Sequence, residues 1–124
     1  MIRILTWNCA GAFRKKAGQL AAFAPHLAVI QECERPERLL FPPEFRPDTT
    51  AWFGDPGTAK GVGVFGFSGL RVEAAADVYD PTIRLDYCFA RLHWSRRVTR
   101  LWVGDFADWR PWSDHCPLFV EIDV

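Results

Sequence analysis

Between positions 103 and 118 the chain reads VGDFADWRPWSDHCPL. Asp105, Asp108 and Asp114 precede His115 in this run, set among two tryptophans and two prolines. Carboxylates beside an imidazole can move protons near neutral pH, or offer oxygen and nitrogen to a cation. The run is too polar for a core strand and too apolar for a solvated tail, so it reads as a loop that carries chemistry. Ser113, Asp114 and His115 do not make a hydrolase triad. Adjacent members cannot generally fold onto one another, and no G-x-S-x-G elbow is present.

Two further polar residues stand at the ends of apolar runs: Asn8 after IRILTW and Glu32 after LAVIQ. Arg14, Lys15 and Lys16 form a basic cluster suited to phosphate, as do Arg96 and Arg97, although either set also fits a plain solvated surface. The stretch GVGVFG from Gly61 to Gly66 matches the dinucleotide fingerprint letter for letter. That motif needs a helix starting among its glycines, whereas β-formers fill the gaps here. Cys9, Cys33, Cys88 and Cys116 contain no C-x-x-C pair, which disfavours structural zinc. Cys9 and Cys33 read as small buried groups behind Asn8 and Glu32.

The elements that must position these residues follow from hydrophobic pattern. IRILTWN is expected to be a buried strand, GAFRKKAGQLAAFAP a helix stopping before Pro25, and LAVIQE a strand buried on both faces. Residues 2 to 32 then form a βαβ unit with parallel strands. RPERLLFPPEFRPD reads as a short helical turn and loop, and TTAWFG, GVGVFGF and LRVEAAA as an antiparallel meander. RLDYCFARL and VTRLWVG suggest a hairpin, and PLFVEIDV a last strand. The class is α/β, rich in strand, and residues 1–124 form a single domain. With 49% hydrophobic and 24% charged residues the composition is globular. Fifteen basic residues balance fifteen acidic ones, which excludes the global field of a protein that coats nucleic acid. No apolar run approaches the ~20 residues of a membrane span. The N-terminus lacks the regions of a signal peptide, so a cytoplasmic location without membrane attachment is expected.

Four segments, TWNCAG, VIQECE, RLDYCFA and WSDHCPL, resemble in order the endonuclease/exonuclease/phosphatase superfamily, the DNase I-like metal-dependent phosphoesterases. KGVGVFG is similar to a family strand between them. The resemblance implies a DNase I-like α/β sandwich, here truncated, with mixed sheets and few helices. It also implies Glu32 as the main metal ligand, Asn8 as a polar neighbour and His115 at the scissile phosphate. Asp86, from RLDY, would orient the histidine, and Asp114 would lie beside the metal or a second metal position. A carboxylate, an amide oxygen and water suit Mg²⁺, or Mn²⁺ in its place.

The chain departs from the family pattern in one large respect. A second histidine and a G-D-F-N strand normally precede R-x-D-Y, yet only residues 68 to 83 fill that interval. VGDF at 103–106 comes after RLDY, and Ala107 replaces the asparagine. Ala10 stands where some members carry an acidic residue. Asp105 or Asp108 is the candidate substitute for the missing water-activating group. The expected activity is divalent-metal-dependent phosphoester hydrolysis, foremost by a nuclease. The partner would be nucleic acid, DNA ahead of RNA, or else a phosphorylated small molecule. The alternative is a catalytically impaired relative that binds phosphate, nucleic acid or protein. Shortening should expose sheet edges and apolar surface, so a homo-oligomer is expected.

Overall fold

A computed structural model describes residues 1–55, 57–72 and 96–123. The described chain is mostly β: one six-stranded mixed sheet with a few short helical segments. Its strands are β1 (Ile2–Asn8), β2 (Leu27–Glu34), β3 (Thr49–Phe53), β4 (Lys60–Gly66), β5 (Val98–Val103) and β6 (Leu118–Ile122). They lie in the order β3-β4-β2-β1-β6-β5. The apolar runs of β1 and β2 take the two central places, because strands flanked on both sides lose the most water from apolar side chains. β1 and β2 are parallel, with Asn8 opposite Gln31, as the βαβ reading expected. All other pairings are antiparallel.

The crossover between β1 and β2 differs from the expected α-helix. It forms two 3₁₀ segments, Phe13–Lys15 and Ala17–Phe23. Length supplies a reason. The connection must run back along a seven-residue strand, roughly 23 Å at the usual strand rise. From Phe13 to Phe23, a 3₁₀ rise covers roughly 22 Å, whereas an α-helix would cover roughly 16 Å. The tighter, more elongated winding still buries Phe13, Ala17 and Leu20. Elsewhere Pro36–Arg38 is the short turn expected in the proline-broken stretch, and α1 (Phe106–Trp109) is a single helical turn.

Alternation along the strands puts Leu5, Trp7, Ala28, Ile30, Phe65 and Phe119 into the core. The crossover, residues 39–45 and Trp109 cover them. Phe13 stacks on Phe65 at 5.5 Å and meets Phe45 edge-on at 5.6 Å. Trp7 meets Trp109 edge-on at 5.2 Å. Close approach explains one glycine of the GVGVFG run. A Cβ at Gly63 would stand 2.7 Å from the Phe65 ring and 2.9 Å from Cys33 Sγ. That run is strand β4, between β2 and β3, with its glycines making room for side chains.

β3 and β4 form the first two strands of the expected meander, and most of its third lies outside the described residues, as does the RLDYCFARL arm of the expected hairpin. The other arm, β5, pairs with β6. Among the described residues, no helix is long and apolar enough to cross a membrane. There, too, Cys9, Cys33 and Cys116 are free thiols.

Candidate functional site at the end of the central strands

Parallel strands bring their C-terminal ends to one rim, where ligands of α/β sheets commonly bind. β1 ends there at Asn8, and its partner β2 passes it at Gln31 and Glu32. β6 runs antiparallel to β1, with Thr6 opposite Leu118, so the residues just before Leu118 reach the same rim from the other side. The end of β1 is therefore flanked by Glu32 on one side and Ser113–His115 on the other.

Specific bonds fasten the loop to the strand. The buried Ser113 hydroxyl donates to the Asn8 carbonyl at 2.6 Å and accepts the His115 backbone N–H at 3.0 Å. Trp7 Nε1 donates to the His115 carbonyl at 2.9 Å. Both pin the backbone beneath the imidazole, which is itself half-buried. His115 Nε2 lies 3.8 Å from Asp114 Oδ1, while the Asp114 side chain is exposed. The serine hydroxyl is thus engaged with the backbone.

Glu32 occupies an irregularity in β2. Between Ile30 and Cys33 the pairing with β4 shifts by one residue, and Glu32 takes a left-handed backbone angle, φ 53°. A bulge turns a side chain away from strict alternation, and a non-glycine residue in this region costs roughly 1–2 kcal/mol. Such strain tends to collect where a side chain must be aimed. The Cys9 thiol lies against the bulge, 3.4 Å from the Gln31 carbonyl and 3.5 Å from that of Glu32. Burial pushes the Cys9 thiol up to about 11, so it stays protonated and donates. Burial also raises Cys33 and Cys116, Cys33 the more strongly.

The turn after β1 is equally irregular. Asn8 Oδ1 accepts the Ala10 N–H at 3.1 Å, and Ala10, Gly11 and Ala12 all have positive φ. Lys16 Nζ donates to the Cys9 carbonyl at 2.5 Å. Lys60, at the start of β4, lays its side chain across Gly11, where a Cβ would stand 2.9 Å from Lys60 Cε. Its ammonium reaches within 3.8 Å of Glu32 Oε2.

The other candidate residues fall as follows. Arg14 gives its backbone N–H to Glu34 Oε1 at 2.8 Å, and its guanidinium pairs with Glu34 Oε2, tying the crossover to the end of β2. Lys15 is exposed. Asp105 caps α1, accepting the Ala107 N–H at 2.9 Å, and Asp108 is an exposed residue in that turn. Arg96 and Arg97 line a separate shallow surface with Thr99 and Asp123. Asp86 lies outside the described residues. Sequence reading missed Lys60 and Glu34. Lys60 starts the strand that pairs with β2, the strand carrying Glu32, and no local pattern of residue types signals that pairing.

The donor set bears on which cation fits. Among the described residues, no three of His, Cys, Asp or Glu gather closely enough to hold a metal between them. Glu32 offers one half-exposed carboxylate, and the amide oxygen of Asn8 still has a lone pair beyond the one used by Ala10. One carboxylate plus several retained waters suits Mg²⁺ or Mn²⁺, and does not suit a structural zinc site. No family model, curated protein or solved structure matches this chain.

Proposed function

We propose that the chain is a compact divalent-metal phosphoesterase of the endonuclease/exonuclease/phosphatase kind, acting foremost as a nuclease. In this reading the six-stranded sheet belongs to a shortened DNase I-like α/β sandwich. The observation that carries it is Glu32, held in a left-handed bulge beside Asn8 while Ser113 fastens the Asp114–His115 loop to the same strand end. Strain and buried hydrogen bonds both serve to aim polar groups at one rim, which core packing alone does not require.

Glu32 and Asn8 would hold Mg²⁺ or Mn²⁺, with Asp114 as a nearby carboxylate. The bound cation would offset charge on the phosphoryl oxygens. His115 would stand at the scissile phosphate and handle a proton, its backbone fixed from both sides by Ser113 and Trp7. Asp86 is proposed to orient that imidazole. Lys16 would favour an anion at the rim. Asp105 is the weaker substitute base because capping α1 occupies its carboxylate, which leaves Asp108 as the other candidate. Substrates are nucleic acid, DNA ahead of RNA, or a phosphorylated small molecule. A two-fold assembly of cytoplasmic copies belongs to the same proposal, supported by β5, which ends the sheet among the described residues with Leu101 65% and Val103 58% exposed.

The test is hydrolysis of supercoiled plasmid with Mg²⁺ or Mn²⁺ by the wild-type chain, Glu32→Gln and His115→Ala. Each substitution should lower the rate by about 10²–10⁴-fold. Cleavage that survives both unchanged would place the activity elsewhere. A binding module is the second reading, favoured by the Lys60 ammonium that already accompanies Glu32. It predicts that inorganic phosphate binds equally with and without Mg²⁺ and that no plasmid is cut.

A further inference from the structure

The geometry points to Lys60 as a built-in rival of the divalent cation for Glu32, one that becomes a phosphate contact when displaced; this rests on the metal-site reading above. Lys60 Nζ lies 3.8 Å from Glu32 Oε2, and both side chains remain about half-exposed. Its path to that place is prepared. β4 starts at the rim because Lys60 pairs with Glu34 and Gly61 with Cys33, on the near side of the Glu32 bulge. Gly11, at φ 83°, leaves open the space that the Lys60 stem crosses. Lys16, the other ammonium of the rim, is held instead by the Cys9 carbonyl.

Two cations cannot share one half-exposed carboxylate without repulsion. A divalent ion at Glu32 therefore pushes Lys60 away, and an ammonium on a four-carbon stem has room to swing. An anion drawn to the metal would then offer the displaced ammonium a favourable partner. Lys60 thus weakens metal binding before substrate arrives and strengthens phosphate binding afterwards. A residue that merely supported the fold would weaken both when changed.

That opposition of sign is the test. Mn²⁺ is titrated into the protein without substrate, and the free ion is read by electron paramagnetic resonance. Radiolabelled inorganic phosphate is then dialysed against Mn²⁺-saturated protein. Lys60→Gln should bind Mn²⁺ about 2- to 5-fold more tightly, the size expected from losing an exposed ion pair. It should bind phosphate roughly 10-fold more weakly, the size of one charge-assisted hydrogen bond. Lys60→Arg should restore phosphate binding. Unchanged or weaker Mn²⁺ binding by Lys60→Gln overturns the inference, as does unchanged phosphate binding. Glu32→Gln separates the two levels. If it abolishes Mn²⁺ binding while Lys60→Gln behaves as wild type, the metal site stands and the role of Lys60 falls. If wild type binds no Mn²⁺, or Glu32→Gln binds it as wild type does, the metal-site reading fails and takes this inference with it.

Discussion

On one face of the sheet Phe13 stacks on Phe65, Phe45 packs edge-on to both, and Trp7 meets Trp109. A few residues away, at the end of β1, Ala10, Ala12 and Glu32 adopt left-handed angles, and Ser113 spends its hydroxyl on two backbone groups. The first region gains stability from apolar area in unstrained strands. The second gives some of it back to aim side chains. The two share β1: Trp7 faces the aromatic core while its indole N–H reaches the His115 carbonyl. A single strand thereby couples a rigid support to a strained rim, the usual arrangement for holding polar groups in place.

The comparison breaks most readily from the core side. Phe65→Ala should cost about 3–5 kcal/mol, since a fully buried ring leaves a cavity that its aromatic neighbours cannot close. Urea unfolding measures it, and a cost below 1 kcal/mol would mean that the aromatic face is not the stabilising half. Ser113→Ala tests the join between the regions. It leaves the buried Asn8 carbonyl and the His115 N–H without their shared partner, so a loss of about 1–3 kcal/mol is expected. Plasmid cleavage should fall with it, because the His115 backbone loses its Ser113 anchor.

At the rim the sign should reverse. Glu32→Gly relieves the left-handed strain and is expected to stabilise by up to about 1 kcal/mol while abolishing Mn²⁺ binding. A destabilised Glu32→Gly variant would show that the bulge carries no strain worth relieving. The smallest effect concerns pH and a site away from both regions. Burial, with the charge of Arg3, lowers the pKa of His26. Its Nδ1 accepts the Arg3 N–H at 3.0 Å, which requires a neutral ring. The unfolded chain then binds the extra proton more readily, so this stabilisation is present above the ordinary histidine pKa. It fades as pH falls through the lowered folded value. His26→Gln should flatten that slope between pH 7 and pH 5 in thermal melts, and an unchanged slope would assign it to other groups.

Much of the sheet was legible in the linear pattern. IRILTWN, LAVIQE, GVGVFG and PLFVEIDV all became strands, because uninterrupted or alternating apolar runs have few other ways to leave water. The parallel pairing of β1 and β2 was legible too, from the strand–helix–strand pattern of residues 2 to 32. The winding of that connection was not. Local propensity in GQLAAF favours an α-helix, and the distance along the strand decided for 3₁₀. Among the candidate residues, Asn8 and Glu32 were visible as polar ends of apolar runs. Lys60 was invisible: its contact with Glu32 depends on β4 lying beside β2 and on the open space at Gly11.

Taken alone, the order of residues determined which segments become strands and which of their side chains the core takes up, since both follow from local hydrophobic period. Tertiary structure alone decided the left-handed bulge that turns Glu32, the Lys60 approach, and the fastening of Ser113 to Asn8. Each of these joins groups far apart along the chain, from Asn8 to Ser113 or from Glu32 to Lys60. Geometry of that kind is set by sheet order and register, and no local pattern of residue types contains it.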